Sequence, residues 1–162
     1  MSESSKETWL TQATYDRLKA ELDELSTSGR EQIAERIQEA REDGDLKENA
    51  GYHAAKDEQG KIEARIRELE QMLKNAQVGE APEASGVVEE GTVVSASIDG
   101  KETKFLLGSR EIAAQTELRV YSTETPLGQA IMGLKEGAST SFTAPNGKDV
   151  AVKVLKVETF AA

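Results

Sequence analysis

Five acidic residues crowd one short stretch of this chain: Glu39, Glu42, Asp43, Asp45 and Glu48. Asp45 and Glu48 stand three apart. If they open a helix, that spacing puts both carboxylates on one face, with Cβ atoms about 5–6 Å apart. Two neighbouring carboxylates repel each other and attract a hard divalent cation such as magnesium. One or two carboxylates do not make a tight magnesium site, because the ion keeps waters and takes further oxygens from a substrate or partner. The pair therefore reads as half of a metal site. A plainer reading competes with it: acids near a helix N-terminus are favourable through the helix dipole alone, and Glu48 could simply pair with Lys47 or Arg41.

The elements around this cluster read as a rod. From Tyr52 the apolar or small positions are Tyr52, Ala55, Ile62, Ile66, Leu69 and Leu73, with Gln59 in the one gap. Spacings that alternate three and four form a coiled-coil seam. Leu18, Leu22 and Leu25, then Ile33, Ile37 and Ala40, supply the answering seam. Between Leu25 and Ile33 the phase slips by about one residue across Ser26-Thr27-Ser28-Gly29, which predicts a kink or a local change of supercoil. Thr11 is the expected N-cap of the first helix, with Leu10 and Tyr15 as a hydrophobic staple. Gly44 is suited to end that helix and Asp45 to cap the next. So short a break makes the helices antiparallel. Each would run on the order of 30 residues, about 45 Å, a shape better suited to reach than to enclosure. The acids then lie at its tip.

The second helix should stop near Asn75, and residues 79–86, GEAPEASG, read as a linker. Beyond it the pattern alternates as strands do. Val93, Val94 and Ile98 precede an Asp99-Gly100 turn, then Phe105-Leu106-Leu107. Leu118–Val120, Ser141-Phe142 and Val150–Val157 follow, the last after Asn146-Gly147. Asp-Gly and Asn-Gly favour two-residue hairpins. Thr125 and Pro126 start one helix, which continues through Gln129 to Leu134. The expected organisation is α+β: a helical hairpin over 1–78, a linker over 79–86, and a small, mainly antiparallel sheet domain over 87–162.

Composition narrows the partners. The 162 residues carry 30 Asp+Glu against 20 Lys+Arg, a net charge of −10. Residues 1–76 hold 12 basic and 18 acidic groups, and residues 77–162 hold 8 and 12, so both halves are acidic. A free-standing nucleic-acid binder shows a basic footprint, so a protein partner is expected first. There is no cysteine, hence no disulfide framework or thiolate metal site. The opening MSESSKETW has no apolar signal core, and no run approaches the ~18 apolar residues of a membrane span. A soluble, cytoplasmic monomer with no membrane partner is the expectation. His53, the lone histidine, lacks the companions of a metal ligand and reads as a packing or hydrogen-bonding residue. Trp9 is expected to pack at the base of the coil.

The run Arg41-Glu42-Asp43-Gly44-Asp45-Leu46-Lys47-Glu48-Asn49, followed by Tyr52-His53-Ala54-Ala55-Lys56, resembles the hairpin tip of the GreA/GreB family of bacterial transcript cleavage factors. Thr125–Gly133, TPLGQAIMG, resembles a motif of that family's C-terminal domain, as does the ending around Pro145-Asn146-Gly147 and Val154–Val157. The likeness runs from about Trp9 to Thr159. Gly51 is a departure, since the family often has Glu there, and Gly in a helix costs about 1 kcal/mol relative to Ala.

The resemblance implies a factor that is not itself an enzyme. Its hairpin enters the secondary channel of RNA polymerase and stimulates cleavage of the backtracked RNA 3′ end. It implies Asp45 and Glu48 as the catalytic acids, ligands to a Mg2+ ion held jointly with the polymerase and not bound tightly by the free protein. Arg41, Lys47, Asn49 and Lys56 would lie beside the RNA 3′ end, and Arg36 is a further candidate for the same strip. The second half would be an FKBP-like domain gripping the rim helices of the channel, with Pro126, Leu127, Gly128, Ile131 and Met132 as the contact. Two other readings remain: a relative that occupies the channel and inhibits, and a stand-alone prolyl isomerase. Inhibiting relatives usually alter the tip acids, and both are present here. Phe105, Tyr121, Phe142 and Phe160 are a thin supply for a proline pocket.

Overall fold

A computed structural model describes residues 7–45 and 48–161. The elements are β1 (Thr8–Leu10), α1 (Gln12–Glu24), a π-helical turn (Leu25–Gly29), α2 (Arg30–Glu42), α3 (Ala50–Lys74), β2 (Ala76–Val78), β3 (Thr92–Ile98), β4 (Lys101–Leu107), a 3-10 helix (Arg110–Gln115), β5 (Arg119–Tyr121), α4 (Pro126–Ile131), β6 (Ser139–Thr143) and β7 (Asp149–Thr159). The class is α+β, a helical hairpin and a mixed-sheet unit.

The hairpin unit spans Tyr15–Ala76. Its helices form where the seam demanded. On α3 the residues withdrawn from solvent are Tyr52, Ala55, Gln59, Ile62, Ile66, Leu69 and Leu73, together with some of their neighbours. Ile33, Ile37 and Ala55 make a small core, with Tyr52 and Ile62 packed against it. Thr11 caps α1 as expected: its Oγ1 accepts from the Thr14 N–H at 3.1 Å.

The slip in phase proves to be a π turn. The Arg30 N–H donates to Leu25 O, five residues back, so the helix absorbs one extra residue and the Ile33-Ile37 stripe returns to the seam. A π turn loosens the i→i−4 ladder, and here neighbouring hydroxyls take up carbonyls. Ser26 Oγ donates to Leu22 O at 2.7 Å, and Thr27 Oγ1 to Asp23 O at 2.7 Å.

Ion pairs bind the two strands of the rod. Arg30 holds Glu63 through two hydrogen bonds of 2.9 Å. Arg65 holds Glu21 at 2.7 and 2.9 Å, and Arg36 pairs with Glu58. Paired guanidinium N–H groups favour the charged carboxylate. The hydrogen bonds from Arg65 and Arg30 accordingly lower the pKa of Glu21 and Glu63.

In the second unit residues 7–14 group with 77–161. This grouping by packing differs from the expected division at residue 78 in where it puts residues 7–14. β1 pairs with β2 in a two-stranded sheet, and the Gly79 N–H donates to Leu10 O at 3.2 Å. Thr8–Leu10 therefore group with the sheet unit, and 79–86 runs along the surface of that unit. The segment is tied down, with Ala84 N–H on Thr159 Oγ1 at 2.9 Å and Glu136 N–H on Gly86 O at 2.9 Å. Trp9 packs here too. It is buried in this unit, where its Nε1–H donates to Gly79 O at 3.2 Å and its ring meets Phe160 edge-on at 6.0 Å.

The main sheet has strand order β5-β4-β3-β7-β6. All pairings are antiparallel except β4 with β5. Asp99 (φ 49°) and Gly100 (φ 82°) make the expected tight turn of β3-β4. The Asn146-Gly147 turn is wider than expected. Pro145 has no N–H for a ladder, so pairing stops at Thr143–Asp149, and Ala144 and Lys148 close a longer loop through a 2.8 Å bond. Helix α4 covers one sheet face, where Leu127 and Ile131 join Val94, Ala96, Phe105, Leu107, Val152 and Val154 in the core.

Candidate functional site at the hairpin tip

Seven residues, 43–49, connect α2 to α3. Asp43 caps α2, its N–H donating to Ala40 O at 3.2 Å. Gly44 follows at φ +133°, with nothing within 4 Å of the place where a Cβ would be. Such a φ is cheap only for glycine, so Gly44 turns the chain off the helix as expected.

Asp45 and Glu48 are both exposed, and both lie in the connection before α3 rather than on it. That corrects two expectations. Asp45 does not cap α3, and the helical i, i+3 spacing is not what relates the two acids. The cap is Asn49, whose Oδ1 accepts from the Tyr52 N–H at 3.0 Å. Asp and Asn cap equally well; the choice falls on Asn49 because its amide has a second use. Its Nδ2–H donates to Ala40 O at 2.5 Å, across to the last turns of α2, a bond that a carboxylate cannot donate.

The basic and polar candidates are distributed as follows. Arg41 is exposed in the last turn of α2, its guanidinium 5.9 Å from the centre of the Tyr52 ring. Lys56 is exposed on α3, its Nζ donating to Gln59 Oε1 at 3.0 Å. Lys47 lies outside the described residues. Asn49 is engaged inside the hairpin through both amide atoms, Oδ1 with the Tyr52 N–H and Nδ2 with Ala40 O. Arg36 is engaged with Glu58. His53 is exposed and sets its ring edge-on to Tyr52 at 5.5 Å.

Chemically, the tip offers water-facing carboxylates on a narrow support. Among the described residues no three or more His, Cys, Asp or Glu side chains converge into a metal-sized group. Asp45 and Glu48 are hard oxygen donors of the kind magnesium accepts when a partner completes the shell.

The second set of candidates, on α4, divides. Pro126 and Met132 are exposed, Met132 at 41%. Leu127, Gly128 and Ile131 are buried, packed in the core of the mixed-sheet unit. Thr125 Oγ1 accepts from the Gly128 N–H at 3.0 Å, the expected cap. The pattern rule could have separated them, because positions 127 and 131 are one helical turn apart on a single face. Missed altogether was the latch of Asn49. Its signal was an Asn three residues before the first seam residue, Tyr52.

Two family models together match nearly the whole chain. Residues 8–78 match "Transcription elongation factor, N-terminal", and residues 83–159 match "Transcription elongation factor, GreA/GreB, C-term". The chain is 51% identical over 160 residues to transcription elongation factor GreA of Streptomyces avermitilis, covering 97% of this chain and 96% of that protein. It is 50% identical over 155 residues to transcription elongation factor GreA of Saccharopolyspora erythraea, covering 94% and 95%. Among solved structures, GreA factor homolog 1 (Gfh1) of Thermus thermophilus aligns at 29% identity over 94% of this chain and 99% of that one, with a TM-score of 0.43.

Proposed function

Because the chain belongs to the GreA/GreB family of transcription elongation factors, we propose that it acts on stalled, backtracked RNA polymerase and stimulates the polymerase's own cleavage of the RNA 3′ end. The observation that carries this reading is the placement of Asp45 and Glu48. They are exposed on the loop between two long packed helices, in a chain that matches its relatives from one end to the other. In this reading the hairpin enters the secondary channel, and the mixed-sheet unit binds the rim helices at its mouth. Pro126 and Met132 are the part of the α4 region open to such contact, while Leu127, Gly128 and Ile131 hold α4 in place.

The chain contributes position and charge. Asp45 and Glu48 would hold a Mg2+ ion jointly with the polymerase's carboxylates. When bound, the metal stabilises charge on the attacking and leaving oxygens of a phosphodiester. Arg41 and Lys56, with Lys47, place positive charge beside the RNA 3′ segment. The factor is therefore no enzyme alone. The prolyl isomerase alternative is disfavoured by its own aromatics: Phe105 is fully buried and packs edge-on against Tyr121 at 5.0 Å, inside the core.

Cleavage by a backtracked elongation complex tests the proposal. Asp45→Asn or Glu48→Gln should lower cleavage at saturating factor by at least about a hundredfold, the scale of losing a group that stabilises transition-state charge, while polymerase binding persists. Raised magnesium should partly restore Glu48→Gln. If both variants cleave at the unsubstituted rate, the tip has been assigned wrongly.

A further inference from the structure

We infer that Asn49 is a positioning residue, which holds the loop of Asp45 and Glu48 in the conformation that receives the metal. The inference rests on the reading of the tip given above. Asn49 makes two bonds in opposite directions. Its Oδ1 takes the Tyr52 N–H at 3.0 Å, fixing the start of α3, and its Nδ2–H reaches Ala40 O at 2.5 Å, nine residues back on α2. Ala40 O also accepts the Asp43 N–H at 3.2 Å, so one carbonyl anchors both ends of the loop. Asp45 and Glu48 sit between those anchors.

Capping alone does not call for this residue. Ser, Thr and Asp cap as well as Asn or nearly so. Of these caps only Asn carries its acceptor and its donor on two separate atoms, so that one takes the Tyr52 N–H while the other reaches α2, and Gln would set its head group one methylene farther out. The amide is also neutral, so it closes the loop without adding to the charge of Glu42, Asp43, Asp45 and Glu48. A second contact reinforces the same closure: Arg41, next to Ala40, lies 5.9 Å from the ring centre of Tyr52, whose N–H Asn49 holds. Tyr52 in turn packs on Ile33, Ile37 and Ala55. The loop ends are thereby referred to the hairpin core. Ligands delivered to another protein's site must arrive within a fraction of an ångström of working geometry, and a misplacement of 1 Å can cost about a hundredfold in rate.

The test uses full-length Asn49→Ser and Asn49→Thr, which keep a cap and remove the reach to Ala40. Each is assayed on backtracked complexes well below its unfolding temperature, with titrations of factor and of magnesium. The expected result is an unchanged half-saturating factor concentration, a cleavage rate at saturation lowered about tenfold, and a half-saturating magnesium concentration raised several-fold. A merely structural role would lower thermal stability and leave the saturated rate and the magnesium dependence alone; that result in either folded variant overturns the inference. So does weakened polymerase binding with an unchanged maximal rate. Asp45→Asn and Glu48→Gln, run in parallel, tell the two failures apart. If they are inactive while Asn49→Ser has full activity, only the latch is refuted. If they too have full activity, the reading of the tip falls and the latch with it.

Discussion

At the tip, single residues divide between those that face water and those that hold the loop. Asp45 and Glu48 are exposed, whereas Asn49 is half-buried and turned inward. The distinction recurs on α4, where the residues of one short motif split between surface and core. Gly128 shows what the motif encodes. A Cβ there would lie 2.3 Å from Ser122 O and 2.9 Å from Thr123 Cα, both backbone atoms that cannot step aside. Gly128→Ala is therefore expected to destabilise the mixed-sheet unit by about 1–3 kcal/mol, the usual cost of overpacking. Denaturant unfolding measures it, and an unchanged midpoint would show that the α4 approach relaxes freely. The residue types were legible in the sequence as a motif; that three of five serve packing was decided by the face of α4 that meets the sheet.

Among the elements, the π turn links sequence to reach most directly. Leu25 and Ile33 are eight residues apart where a heptad allows seven, and the turn over Leu25–Gly29 takes up the difference. Removing one residue inside it, for instance Ser28, should convert it to ordinary α-helix and leave both seams in phase. Removing Glu35 instead should carry Ile37 off the seam. We expect the Ser28 deletion to unfold within a few degrees of the parent. The Glu35 deletion should lose on the order of 2–5 kcal/mol, as for a truncated core side chain. Circular dichroism melts compare them, and equal melting of the two would mean that the seam does not fix the hairpin. The irregularity was legible because a phase slip is a property of spacing. Its form was not, since a stutter can be absorbed by supercoil change or by a wider turn, and the hydroxyls of Ser26 and Thr27 favour the turn.

For the molecule as a whole, Thr8–Leu10 and Phe160, far apart in sequence, meet in one unit. β1 pairs with β2, and Trp9 packs on Phe160 and hydrogen-bonds Gly79. Thr11 and Thr14 both donate to Gln115 Oε1, at 2.5 and 2.6 Å. The mixed-sheet unit is thus built from two separate stretches of sequence. Trp9→Ala should cost it about 3–5 kcal/mol, typical of an aromatic cut back to alanine in a core. Amide exchange should show that loss in β3, β4 and β7, with protection of α3 near Ile66 retained. Loss of protection confined to the hairpin would contradict the division into units.

The sequence by itself determined the seams, the α+β class, the hairpin turn at Asp99-Gly100 and the concentration of acids between two helices. Each of these is a matter of periodicity or of local backbone preference, which a linear string carries in full. Only the tertiary structure decided which residue caps α3, which of the α4 residues are buried, and to which unit Trp9 belongs. Those outcomes depend on a partner distant along the chain: Ala40 for Asn49, the sheet face for Leu127 and Ile131, and Phe160 for Trp9. Spacing ranks the capable residues, but contact selects among them.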